Sequence, residues 1–175
     1  MNRAYTAIQF ISFIIICLLS SQASAIMEGL STADLTKASD VVIEGEVIDV
    51  KADWSNDGKT IFTKAIISES MILKGRITQI EIIVEYDGGE IGDIGLNVSD
   101  VTPLIKGEKV ILFLKAGKSK KDGSVFNIVG KGQGKYTIGS DHIARKGGFS
   151  IISGEELIDD NIPVDVLVDK IRRAK

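Results

Sequence analysis

Between Ala38 and Val47 a helix-like segment runs without a linker into a strand. Side chains alternate across a strand, so Val41, Ile43, Gly45 and Val47 share one face, and Val42, Glu44, Glu46 and Ile48 share the other. A strand with one apolar and one acidic face needs neighbours on its apolar side. Most of the chain beyond Val50 reads as further strands able to close around it.

A second strand is expected from about Thr60 to Leu73. That is too long to lie flat, and the apolar phase changes at Ser68-Glu69-Ser70, which marks a bend or bulge. A third runs from Ile80 to Tyr86. The fourth, Lys109 to Leu114, is apolar on both faces (Val110, Leu112 and Leu114; Ile111 and Phe113), the pattern of a fully buried central strand. Val125–Val129 and Gly134–Ile138 come next, with shorter strands at His142–Arg145 and Phe149–Ile152. Asn56-Asp57-Gly58, Lys74-Gly75 and Asp122-Gly123 supply turn chemistry. Ser31 or Thr32 caps a brief helix ahead of the first strand, and Leu35 and Ala38 face its core side. At the other end Pro163 sits at a first helical position. Val164, Leu167, Val168 and Ile171 then form an apolar stripe, with Asp165 in the first turn and Lys170, Arg172 and Arg173 in the last. That helix is expected to pack on the strands.

The first 25 residues carry a different signal. Arg3 precedes an apolar run from Ala7 to Leu19, and Ala23-Ser24-Ala25 closes it with small residues. The run is about 13 residues, short for a bilayer crossing, and it reads as a secretory signal cleaved after Ala25; an uncleaved anchor is the other reading. Cleavage would leave 150 residues, 26–175, suited to one domain, with no cysteine and a net charge of −4. An exported chain without disulfides must be held by its core, which fits a bacterial periplasmic or secreted protein. The acidic balance argues against a nucleic-acid partner, and no other segment is apolar enough to span a membrane.

Short strands, glycine-marked turns and one long connection predict a small Greek-key barrel. The order of blocks sharpens this. Ser39-Asp40-Val41-Val42-Ile43-Glu44-Gly45-Glu46-Val47 is followed by a long bent strand ending Leu73-Lys74-Gly75 and by Ile80-Glu81-Ile82. A glycine-rich loop, Lys106-Gly107-Glu108-Lys109-Val110-Ile111-Leu112-Phe113 and Asp122-Gly123 come next. From Ala33 to Ile138 the chain resembles the oligonucleotide/oligosaccharide-binding (OB) barrel of tissue inhibitors of metalloproteinases and netrin-like modules. It resembles more closely uncharacterised exported bacterial proteins that share these blocks and a late Gly130-Lys131-Gly132-Gln133-Gly134-Lys135-Tyr136 stretch. The resemblance implies an all-β, OB-like barrel with an N-terminal and a C-terminal helix. It carries over no inhibitory residue, because those inhibitors bind the protease zinc through an N-terminal cysteine and this chain would begin at Ile26.

Catalytic and metal chemistry find few candidates. His142 is the only histidine, too few for a zinc site, and no nucleophile elbow lies near it, so a surface or edge position is expected. Gly130–Gly134 lacks the spacing of a dinucleotide fingerprint and reads as a bulge or corner of a strand, with a ligand-contacting loop the alternative. Asp87, Glu90 and Asp93, with Asp100 beyond, give either a solvated acidic loop or a weak calcium site; Asp53, Asn56 and Asp57 are a poorer cation candidate. No cofactor is implied. Four glycines in Asp87–Gly95 argue against a regular element there, and the connection onward to Gly107 is unusually long.

Two features remain unaccounted for by the core: Trp54, placed in the first long turn, and the Asp87–Gly95 loop. Trp54 either covers a barrel end or stands in a recognition surface. Together they point to a non-enzymatic exported module that binds an extracytoplasmic protein. Its candidate binding residues are Trp54, Asp87, Glu90 and Asp93, and, by resemblance, a protease is the first partner class to test. An extracytoplasmic hydrolase and a structural or carbohydrate-binding envelope protein are the alternatives.

Overall fold

The computed structural model describes residues 28–79, 81–121, 123–150, 154 and 158–175. The expected signal segment, Ile80 and residues 151–152 of the expected Phe149–Ile152 strand lie outside them, and Phe149 and Ser150 belong to no strand. Helix α1 (Thr32–Ala38) leads into β1 (Val41–Trp54) and β2 (Ile61–Lys74), then β3 (Ile82–Asp87). A small hairpin, β4 (Gly89–Ile91) and β5 (Ile94–Leu96), precedes β6 (Lys109–Lys118) and β7 (Ser124–Ile128). A 3₁₀ turn (Lys131–Gly134), β8 (Lys135–Ile138), β9 (Ile143–Arg145), β10 (Ile162–Pro163) and helix α2 (Val164–Arg173) complete the described chain.

The sheet runs β1-β2-β3-β7-β6-β8-β9-β10, and β1 also pairs with β6. Strands β1, β2, β3, β7 and β6 thus close a ring with OB-like connectivity. All of its pairings are antiparallel except β3 with β7, which meet through the parallel pair Val84 and Phe126.

Strand β1 lines the ring as its alternation predicts. Val41, Ile43 and Val47 are buried in the interior with Ala65, Ile67, Ile82, Val84, Val110, Leu112 and Leu114. Ile48 is an extra residue at a register shift between Val47 and Asp49, and beyond it the phase flips, so that Val50 packs on the interior. The bend expected at Ser68–Ser70 is present: Glu44 and Gly45 pair with Met71 and Glu69, which leaves Ser70 without a partner. Gly45 makes the crossing possible, because a Cβ there would lie 2.5 Å from the Ser68 carbonyl oxygen.

A second core lies outside the ring. Leu35 of α1 and Leu167 and Ile171 of α2 pack with Val42, Leu73, Ile111, Phe113, Tyr136, Ala144 and Ile162. The Phe113 and Tyr136 rings are 6.0 Å apart. The expected α2 stripe is thus the packed face, although Pro163 caps the helix rather than starting it. Lys74 Nζ donates to the Thr36 and Ser39 carbonyls (2.6 and 2.8 Å) and closes the C-terminal end of α1.

Strands β7 and β8 run consecutively along β6, with Ile128 opposite Leu114 and Lys135 opposite Leu112. Residues 129–134 are therefore an excursion from one strand line, as expected of a corner, though they form a 3₁₀ turn rather than a bulge. Gln133 is buried there; it accepts from the Leu30 N–H (2.7 Å) and donates to the Glu28 carbonyl (2.9 Å). Lys135 (4% exposed) pairs with Glu108 (12%) at 2.8 Å and donates to the Pro103 carbonyl at 2.6 Å, while Thr137 and the Ile105 N–H donate to the Glu108 carboxylate. His142 is exposed at the surface.

This packing can be tested at two residues. Leu112 fills the ring interior, so Leu112→Ala should cost on the order of 2–5 kcal/mol in denaturant unfolding, and a loss below about 1 kcal/mol would contradict the strand's placement. Lys146 lays its ammonium 4.5 Å over the Tyr136 ring, with no hydrogen-bond partner among the described residues. Burial lowers its pKa from 10.5 to about 8, against the opposing pull of Asp159 and Asp160. Between those two pH values the unfolded chain holds more protons than the folded one, so folding gains stability as pH rises. The stability of the wild type relative to Lys146→Met should therefore climb from pH 8 towards 10.5 in thermal melts; a flat or falling difference would refute the assignment.

Candidate functional site

One end of the ring gathers four chain segments: the tip of the β1–β2 hairpin, the end of β3, the β4–β5 hairpin and the turn between β6 and β7. The β1–β2 register ends at Trp54 opposite Ile61, and Asp87 of β3 lies opposite Phe62, so Trp54 and the Asp87–Gly95 segment share this end.

Ion pairs and hydrogen bonds tie the segments together. Lys121 Nζ donates to Asp53 (2.7 Å), and Lys120 pairs with Asp87. Asn56 donates through its backbone to the Lys120 carbonyl (3.3 Å) and through its side chain to the Lys121 carbonyl (2.6 Å). Beneath them Glu85 is buried; it accepts from the Ser119 hydroxyl (2.6 Å) and the Lys120 N–H (2.9 Å). The hydrogen bond from Lys121 and the Trp54 N–H hold the Asp53 pKa below the usual carboxylate range. Asp57 is held low likewise, by the Ser55 hydroxyl and the Lys59 N–H.

Two sequence expectations need correction here. Trp54 is not in the turn: β1 runs through it, and it is half-buried as the last paired residue of the strand. The flipped phase beyond Ile48 sets it on the same face as Val50 and Ala52. The glycine-dense segment is also more regular than expected. It forms a hairpin with Gly89 opposite Leu96, Glu90 opposite Gly95 and Ile91 opposite Ile94, turning at Gly92-Asp93.

The hairpin is fastened to the ring. The Gly88 N–H donates to the Ile61 carbonyl (3.0 Å), and the Thr63 hydroxyl donates to the Gly88 carbonyl (2.6 Å). Gly89 has φ 135°, and a Cβ there would stand 2.4 Å from Thr63 Oγ1 and 2.9 Å from Ala52 Cβ. Between hairpin and ring lies an open groove of about 360 Å³, lined by Val50, Ala52, Thr63, Tyr86, Leu96 and Leu104 among others. The Tyr86 hydroxyl accepts from the Leu104 N–H (3.2 Å), and burial raises its pKa. Beyond the groove the hairpin overhangs: Ile94 is 55% exposed and Leu96 36%.

All four candidate residues lie at this end: Glu90, Asp93 and Asp87 are exposed, Asp87 paired with Lys120, and Trp54 is half-buried. Asp100 is turned elsewhere: its carbonyl accepts from the Gly132 N–H and its carboxylate from the Ser150 N–H. The acidic residues do not converge, and among the described residues no cluster of His, Cys, Asp or Glu is placed to hold a metal ion. Every described carboxylate with a displaced pKa is displaced downward. Hydrogen bonds to Asp53, Asp57 and Asp141 do this directly; at Asp159 burial pushes upward, but bonds from Lys170 and Thr32 outweigh it. These are charge-holding groups, unlike the raised carboxyl of a general acid. Ile94 and Leu96 are the site residues that sequence reasoning passed over. Their signal was Ile91 and Ile94 flanking a two-residue Gly92-Asp93 turn, with Leu96 two residues on from Ile94 on the same face.

No protein-family model matches the chain, and a search of curated proteins finds no match.

The seating of the hairpin on the ring is testable through Gly89. Gly89→Ala introduces the Thr63 and Ala52 clashes and a strained φ, and should destabilise by about 1–3 kcal/mol. Faster amide exchange should be confined to residues near 88–96; unchanged exchange there would refute the close contact.

Proposed function

We propose that the protein is an exported, non-enzymatic module that binds an extracytoplasmic protein through this end of the ring. The observation that carries the reading is the overhanging hairpin, with Ile94 and Leu96 exposed at the same end of the ring as half-buried Trp54. Apolar surface beside an aromatic anchor is the usual centre of a protein interface. Glu90 and Asp93 stand at its rim, where charges steer association more than they hold it. Export rests on Arg3, the apolar run to Leu19 and Ala23-Ser24-Ala25. No described helix is long and apolar enough to cross a membrane. The resemblance to the barrel of metalloproteinase inhibitors and netrin-like modules makes a protease the first partner class to test. The mode would differ from theirs, since no cysteine is available to a chain beginning at Ile26.

Affinity capture from the extracytoplasmic fraction, followed by binding measurements on the captured partner, provides the test. Trp54→Ala should weaken binding about tenfold or more, and the wild-type affinity should fall with added salt. Capture that Trp54→Ala leaves undiminished at every salt concentration would overturn the assignment of this end as the binding surface.

A further inference from the structure

We propose that β5 is an acceptor edge: an extended peptide segment of the partner, apolar and basic, adds to the β4–β5 hairpin as its third strand. The proposal rests on the assignment of this end of the ring as the binding site, and it specifies the chemistry of the partner.

The hairpin is a two-stranded sheet of its own, separate from the ring. Its β4 side is turned to the ring, where Gly88 is bonded to Ile61 and Thr63 and Gly89 abuts Ala52. Strand β5 has no second strand neighbour among the described residues. Antiparallel pairs alternate between hydrogen-bonded and non-bonded. Ile91 and Ile94 close the two-residue turn as a bonded pair, so Glu90 and Gly95 form the next, non-bonded pair. Gly95 therefore directs its N–H and C=O away from β4. A Cβ on Gly95 would meet only the Glu90 side chain, at 3.4 Å, so another backbone can approach closely. An open edge of this kind is a template for strand addition. Ile94 and Leu96 flank Gly95 on the exposed apolar face and would lie beside alternate apolar side chains of the incoming strand.

Charge selects the occupant. From Ile77 to Ile105 the chain holds no lysine, arginine or histidine, but carries Glu81, Glu85, Asp87, Glu90, Asp93 and Asp100. Glu85 and Asp87 are engaged by the β6–β7 turn. Glu90 and Asp93 are exposed and make no ion pair among the described residues. A strand laid along β5 meets an acidic hairpin, which favours lysine or arginine between its apolar residues and disfavours acids.

The test uses the full chain and two end-blocked synthetic heptapeptides, one alternating valine with lysine and the other valine with glutamate, followed by amide NMR. The basic peptide should bind saturably, shift the Gly95 amide and slow its exchange, while the acidic peptide should not bind. Glu90→Lys combined with Asp93→Lys should reverse the preference by about tenfold or more. Gly95→Pro removes the outward N–H and should abolish binding with Tm and circular dichroism retained; Ile94→Thr, which keeps the strand, should weaken it. Binding of neither peptide overturns the proposal. So does a Gly95 shift that grows with protein concentration alone, which would assign the edge to a second copy of the chain. Shifts at Trp54 without Gly95 overturn strand addition while leaving the barrel-end reading intact, and shifts confined to other surfaces overturn both.

Discussion

From Val110 to Leu114 strand β6 is apolar on both sides, and the rest of the molecule is arranged to satisfy that. Val110, Leu112 and Leu114 face the ring interior; Ile111 and Phe113 face the outer core under the helices. Each such side chain contributes roughly 1.5–3 kcal/mol by leaving water. A strand with that pattern has no face to give to solvent. One of its edges is taken by β1 and the other by β7 and then β8, so its backbone is satisfied as well. The ring and the helical layer are consequently joined chiefly through β6, with Val42 of β1 and Leu73 of β2 also reaching the outer core.

Polar groups placed inside this unit fix its geometry. Lys135 and Glu108 form a buried pair whose remaining hydrogen-bonding capacity goes to Pro103, Ile105 and Thr137. A pair so enclosed adds little net stability, but it pins the far end of the long connection after β5. Glu85 does the same for the β6–β7 turn. With both points held, and Gly88 fastened to Ile61 and Thr63, the hairpin stands over the end of the ring.

The ring was legible in the sequence wherever periodicity was unbroken. The two-faced Lys109–Leu114 run, the Val41–Val47 alternation and the α2 stripe each correspond to packing seen in the structure, and Ile43, Val47, Ile82, Val84, Leu112 and Leu114 share one core. Trp54 escapes such reading because the extra residue at Ile48 flips the phase and hides the strand's continuation through Val50 and Ala52. The hairpin escapes it because glycines weaken the local strand signal; tertiary fastening to Thr63 overrides that preference. Gln133, Lys135 and Glu108 resemble surface residues in any sequence. Only the fold brings Gln133 to the backbone of Glu28 and Leu30, more than a hundred positions away.

The ring has a seam. Strands β3 and β7 meet in parallel, through Val84 and Phe126 alone, whereas the antiparallel β1–β2 and β2–β3 pairings grow outward from local turns. Closing the seam must bring together residues about 40 positions apart, an entropic cost met before any contact rewards it. The two meanders on either side are also joined by β1 and β6, through six pairs from Val41 with Leu114 to Glu46 with Lys109, so β3–β7 is the thinner of the two joins. With one ladder pair against six between β1 and β6, β3–β7 is the join expected to part first when the native state breathes. The ring is in this sense a curled sheet fastened along one margin by a latch at Val84 and Phe126.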